Sequence, residues 1–376
     1  MTGQNMKRLG DYIRPVDVRN RDLKVTRLMG INIEKRFMPS VANVVGTDLS
    51  NYKVVSKGQF ACNLMHVGRD EKIPVALQKD DEPIIVSPAY VVFEVVDTNV
   101  LLTEYLMMWF SRSEFDRNAW FYTDGDVRGG MDREALFDMQ IPVPAIEKQR
   151  EIVAEYNTLQ IRIDTNKKLI ATLEQTAQTL YRHLIEKNVK EERVLKDFCL
   201  FKEGYVNPSQ EYGDYFGGDI KWLRANDVNG GFIFNTTRTL TEKGFNSAGT
   251  SALLFSPQTI VITKSGTIGR LGILCDYMCG NRAVINIKPN EENLLPLIFF
   301  YLKNKYEELV DMAVGSAQAN LYVPILASMK IGVPDEVFLR DFCNAAKEIL
   351  KKMKLKAKEN ILLEQMQTLL LSKMGA

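Results

Sequence analysis

The chain has 376 residues and is poor in the groups that build metal and nucleophilic sites: its two histidines are His66 and His183, and its five cysteines, Cys62, Cys199, Cys275, Cys279 and Cys343, are scattered. So few histidines argue against a zinc site. An odd, dispersed cysteine set is not a disulfide framework and suits a reducing compartment. No apolar run approaches the roughly 18 residues needed to span a bilayer. The stretch Met1-Thr2-Gly3-Gln4-Asn5-Met6-Lys7 runs straight into charged sequence without the apolar core of a secretory signal. These absences predict a cytoplasmic protein with no membrane partner. A net charge of +1 supplies no bulk attraction to nucleic acid, so any basic face must be local.

Catalytic signatures are missing as well. There is no Gly-x-x-x-x-Gly-Lys-Ser/Thr phosphate loop and no Asn/Asp-Pro-Pro-aromatic loop of an amino-methyltransferase. Gly266-Thr267-Ile268-Gly269-Arg270-Leu271-Gly272 is glycine-rich, but its spacing is not Gly-x-Gly-x-x-Gly and strand-like residues follow it, so it reads as a tight turn. Triplets such as Asp70-Glu71-Lys72 and Asp219-Ile220-Lys221 read as solvated surface. A nucleophile would need one of the two histidines as its base; His183 reads as a helix-interface residue and His66 as a polar loop residue.

What is present is an internal repeat. Ile141-Pro142-Val143-Pro144 precedes a long helical pattern, and Ile331-Gly332-Val333-Pro334 precedes another 190 positions later. In the first, residues step by four and three through Ile152, Tyr156, Leu159, Ile163, Asn166, Ile170, Leu173, Ala177, Leu180 and Leu184, a heptad seam. The same phase in the second gives Phe342, Ala346, Ile349, Met353, Lys356, Asn360, Leu363, Gln367, Leu370 and Met374. Each helix should begin at its proline and run about 40 residues, or roughly 60 Å. That is far longer than a usual core helix. Polar Asn166, Lys356, Asn360 and Gln367 on the seam would set the register of a pair.

The segments before the helices also correspond. Leu9-Gly10-Asp11-Tyr12 parallels Leu195-Lys196-Asp197-Phe198, and the strand-turn-arginine stretch from Gly58 to Arg69 parallels that from Gln258 to Arg270. Helices are expected over 103–117 and 296–310, followed by Gly-led loops from Gly125 and from Gly315. The predicted class is α+β: a globule at 1–144, a spacer helix at 145–187, a second globule at 188–334 and a second spacer at 335–376. The helices would pair as an antiparallel coiled coil about a pseudo-twofold axis.

This alternation, with Ile141-Pro142-Val143-Pro144-Ala145-Ile146-Glu147-Lys148-Gln149-Arg150-Glu151-Ile152-Val153 at its centre, resembles the specificity subunits of type I restriction-modification systems. The second half carries the resemblance further. Asn207-Pro208-Ser209, the run from Gly218 through Trp222-Leu223-Arg224-Ala225-Asn226-Asp227 to Val228, Leu240-Thr241-Glu242-Lys243-Gly244, Thr267-Ile268-Gly269 and Gly315-Ser316 stand in that family's order. The first globule lacks the Asn-Pro-Ser and Trp-Leu-Arg-Ala-Asn-Asp runs, and Leu339-Arg340 stands where the first copy has Gln149-Arg150.

The resemblance implies a non-catalytic reader of double-stranded DNA. Each globule, a target-recognition domain, would read one half of a split sequence, and the helices would set the gap. Two modification subunits carrying S-adenosylmethionine would dock on it, and a restriction subunit using ATP and Mg could join them; the chain itself would hold no cofactor.

Arginine reads guanine and asparagine or glutamine reads adenine in the major groove, so glycine-flanked loops offering these groups are the candidate contacts. In the second globule they are Arg224, Asn226, Lys264, Ser265, Thr267, Arg270, Gln318 and Asn320; in the first, His66, Arg69 and Arg128. The alternative is a coiled-coil scaffold whose two heads bind proteins.

Overall fold

The computed structural model describes residues 6–40, 46–65, 67–123, 130–315 and 319–374. The chain divides into two compact units, Met1–Ile163 with Leu362–Ala376, and Asp164–Ile361. Both division points fall inside the two long helices, Ile146–Asn188 and Glu336–Lys373. These are 43 and 38 residues long, and each starts two residues after its proline. Asp335 caps the second, its carboxylate accepting from the Val337 N–H at 3.0 Å.

In the first unit a four-stranded sheet runs in the order Ile13–Pro15, Val91–Val95, Gln59–Cys62, Val75–Leu77, all neighbours antiparallel. In the second the same order recurs as Cys199–Glu203, Val284–Pro289, Ile260–Thr263, Leu271–Leu274, with Phe232–Ile233 added in parallel at the edge. The run Ile260-Val261-Ile262-Thr263 is apolar at consecutive positions because it is covered on both faces: Ile260 and Ile262 join one core cluster and Val261 another.

In each globule a separate two-stranded ladder ties its start to its end, Met6–Arg8 with Gln140–Pro142 and Val189–Val194 with Lys330–Pro334. The short helical turns Leu9–Asp11 and Leu195–Asp197 occupy matching places. The two predicted intermediate helices are each broken in two. Thr103–Phe110 and Ser113–Phe121 are separated at Ser111, whose hydroxyl donates to the Met107 carbonyl at 2.8 Å; Leu295–Asn304 and Tyr306–Asp311 are separated at Lys305.

The repeat fails where the sequence lost its markers. In the second unit Thr239–Leu240, Phe216–Leu223, Met278–Gly280 and Leu254–Phe255 form a further sheet around Trp222. The first unit instead has two small ladders, Met29–Ile31 with Phe37–Pro39 and Lys53–Val55 with Ile84–Val86.

Within each unit the helix segments pack side by side. In the second unit Asn166 meets Asn360 and, further along, Tyr181 meets Phe342 at 6.0 Å between ring centres, so the segments run antiparallel. In the first, Gln367 donates to Gln160 at 3.2 Å, and Ile152, Tyr156, Leu370 and Met374 join the globule's core. Ile163 is buried; Leu159, Ile170, Leu173, Ile349 and Leu363 are half-buried; Leu184 and Met353 are buried.

Leu180 departs from its predicted place. It is 40% exposed and Tyr181, at 6%, takes the seam. An α-helix has 3.6 rather than 3.5 residues per turn, so its buried stripe drifts along a strict heptad, and the step 173, 177, 181 replaces 173, 177, 180. His183 follows this drift to the solvent side. Lys356, also on the predicted seam, pairs with Glu359 of its own helix at 2.6 Å.

Candidate nucleic-acid interface

In the second unit the strand Ile260–Thr263 ends in a turn whose Gly266 and Gly269 have φ of 77° and 82°, conformations that side chains resist. The turn is closed by Thr263, which is fully buried. Its hydroxyl donates to the Thr267 carbonyl at 2.5 Å and accepts from the Arg270 N–H at 2.9 Å. Thr267 is thereby left exposed, Ser265 half-exposed, and the Arg270 side chain half-exposed with no hydrogen bond or ion pair among the described residues.

Lys264 turns the other way. Its ammonium bonds to Glu203 at 2.8 Å and lies over the Tyr322 ring, while its backbone N–H reaches Ala283 and its carbonyl accepts from Leu321. It anchors the turn, with its charge already matched. Beside it, Val314 and Asn320 exchange two backbone hydrogen bonds at 3.0 and 2.9 Å and close the mouth of the second Gly-led loop. In the first unit an equivalent bridge joins Thr123 and Met131. Gln318, His66 and Arg128 lie outside the described residues, as does the side chain of Arg69, whose backbone belongs to the helical turn Val67–Asp70.

The Trp-Leu-Arg-Ala-Asn-Asp run folds into a turn organised by Asp227, which the sequence reading did not single out. This buried carboxylate accepts from the Arg224 N–H at 2.9 Å, the Thr237 N–H at 2.8 Å and the Thr237 hydroxyl at 2.6 Å. Arg224 is drawn inward, with Nη2 on Thr237 Oγ1 at 2.6 Å and its guanidinium over the Trp222 ring. Arg238 stacks on Phe216 at 4.2 Å and donates to Gln210. Nothing in the spacing marked Arg238. Asn226 is exposed at the apex of the turn.

Between these features lies a cleft of about 510 Å³ lined by Gln178, Asn229, Gly230, Gly269, Arg270, Leu271, Lys303 and Tyr306. Gln178 comes from the first long helix, and the neighbouring Glu174 of that helix holds Lys303 in an ion pair.

Burial pushes the thiols up, Cys199 and Cys279 to about 12 and Cys343 to about 11, so these three are protonated and inert near neutrality. Among the described residues no group of three or more His, Cys, Asp or Glu is placed to hold a metal ion, and no helix is long and apolar enough to cross a membrane.

The chain is thus built of two matched globules, each followed by a long helix, with polar glycine-flanked turns on the second. Residues 187–365 match the family described as the Type I restriction modification DNA specificity domain. The chain is 29% identical over 136 residues to the MjaIX specificity subunit of Methanocaldococcus jannaschii, a match covering 35% of this chain and 31% of that one. It is 22% identical over 261 residues to the MjaVIII specificity subunit of the same organism, covering 62% of this chain and 61% of that one. The aligned parts thus span about a third and three fifths of these relatives. In fold it is similar to the S subunit of a type I restriction-modification system from M. genitalium, with a TM-score of 0.56 at 14% identity over 100% of this chain and 98% of that one.

Proposed function

We propose that the chain is the DNA-reading subunit of a type I restriction-modification complex and has no catalysis of its own. Each globule reads one half of a bipartite duplex target, and the paired helices set the unspecified gap between halves and dock two modification subunits. S-adenosylmethionine belongs to those subunits, and ATP and Mg to a restriction subunit; this chain holds none of them. The complex works in the cytoplasm of a prokaryote. The observation that carries this reading is the recurrence of one sheet order in both units, each leading into a long helix, together with the specificity-domain match over the second half.

Within the second globule the contacts to bases fall to exposed Asn226 and Thr267, half-exposed Ser265 and the loop residues Gln318 and Asn320; in the first, to His66, Arg69 and Arg128. Lys264 and Arg224 serve as supports, the first held by Glu203 and the second drawn inward onto Thr237 and the Trp222 ring. Co-expression with a cognate modification subunit, followed by base-by-base mapping of methylation on genomic DNA, tests the assignment. Adenine methylation at one bipartite motif, absent without this chain, supports it. A stable complex that methylates nothing removes the reading role, and failure to assemble favours a two-headed protein scaffold.

A further inference from the structure

We propose that the cleft of the second unit seats one phosphodiester of the DNA backbone, with Arg270 as its ionic partner and Gln178 of the long helix as a hydrogen-bond donor. This rests on the DNA-reading assignment above. It gives the helix a direct share in holding DNA, beyond spacing and docking.

The argument begins with charge. Lys221, Lys243, Lys264 and Lys305 around this globule are each paired with a carboxylate, and Lys303 in the cleft is paired with Glu174. Arg270 is the cation of the cleft that has no partner among the described residues, and none of the lining residues carries a carboxylate. Once Glu174 cancels Lys303, the site holds one excess positive charge. That matches a phosphodiester, which carries one negative charge, better than a phosphate monoester, which carries about 1.5 to 2 at neutral pH.

Shape agrees. Gly269 and Gly230 both line the cleft, with φ of 82° and 76°. A Cβ on Gly269 would come within 3.2 Å of the Tyr306 ring. At Gly269 the space of a Cβ is taken by the Tyr306 ring, whereas at Gly230 the backbone is open to the cleft. The volume of about 510 Å³ admits a phosphate with its sugar. The Gln178 amide donates to Glu174 at 3.3 Å, and its second N–H remains for a phosphate oxygen. Because a phosphate contact carries no sequence information, this seat would fix the globule's register on the duplex while the neighbouring turns read bases.

The test uses the full chain and a labelled mixed-sequence duplex, since a backbone contact does not depend on the target. Affinity is measured over a series of salt concentrations for wild type, Arg270→Gln, Arg270→Lys and Gln178→Leu. Arg270→Gln should reduce the magnitude of the log–log salt slope by about 0.9, the release of one phosphate contact. Arg270→Lys should keep the slope, and Gln178→Leu should weaken binding at unchanged slope. A wild type that binds, with a slope that Arg270→Gln leaves unaltered, overturns the phosphate seat and leaves the reading role standing. A wild type that binds no duplex at any salt overturns both. Saturable binding of AMP in calorimetry, lost in Arg270→Gln, would assign the cleft to a free monoester and overturn the phosphodiester.

Discussion

Asn166 donates to Asn360 across the helix pair at 2.9 Å, and both side chains are buried. A buried amide pair is satisfied in one register alone, because sliding either helix strands a donor or an acceptor in the low-dielectric interior. Replacing one partner, as in Asn166→Leu, should therefore cost about 1 to 3 kcal/mol. The Asn166→Leu/Asn360→Leu double variant should return to wild-type stability or exceed it while loosening the register. Urea unfolding of the two single variants and the double variant checks this; a stabilised single variant would count against it.

Gln149 is fully buried at the start of the first long helix. It accepts from the Leu102 N–H at 2.9 Å and donates to the carbonyls of Val100 and Pro144, both at 2.8 Å. The second copy has Leu339 at this place, packed against apolar neighbours. Leucine at 149 fits in size but strands the Leu102 N–H. Gln149→Leu should lower the stability of the first unit by about 1 to 3 kcal/mol, measured by hydrogen exchange at the 97–103 loop and by the urea midpoint.

Asp227 accepts three hydrogen bonds and has Arg224 beside it. Asp227→Ala should destabilise the second unit by about 2 to 4 kcal/mol, with Thr237→Val costing less because the backbone donor of residue 237 survives. If Asn226 reads a base, Asp227→Asn should lower affinity for the cognate duplex more than for mixed-sequence DNA, since the turn that aims Asn226 is loosened while phosphate contacts persist. Equal losses on both duplexes would leave Asp227 a stability residue alone.

Glu94 is held below its ordinary value of 4.5, first by the Gln59 amide and then by Arg14. A carboxylate lowered by folding contributes stability that is present above pH 4.5 and lost as pH falls through its folded value. Wild type should thus be more stable than Glu94→Gln near neutrality, and the gap in urea midpoint should close below about pH 4.5. Asp335, lowered by Lys190 and by the Val337 N–H, should lose its contribution as pH drops further below its ordinary 3.8. A gap that is constant from pH 7 to pH 3 would refute the assignment.

Periodicity by itself determined the two long helices, their phase and their polar seam positions, because a heptad stripe over about 40 residues can be buried only along a helix of that length. The parallel between Gly58–Arg69 and Gln258–Arg270 also pointed to the matching central strands Gln59–Cys62 and Ile260–Thr263, although the first unit follows its strand with the helical turn Val67–Asp70. Tertiary structure decided what pattern cannot hold. The drift of the buried stripe moved the seam from Leu180 to Tyr181. The intermediate helices break at Ser111 and Lys305. Above all, the partners of the basic residues were set in space. Arg224, Lys264 and Arg270 read alike as cations beside a turn, yet the first meets Thr237, the second meets Glu203, and the third meets no partner among the described residues. A side chain is available to a ligand only when no polar group of the chain has reached it first, and the fold makes these pairings across separations of 61 residues for Lys264, on the Glu203 carboxylate, and 13 for Arg224, on the Thr237 hydroxyl.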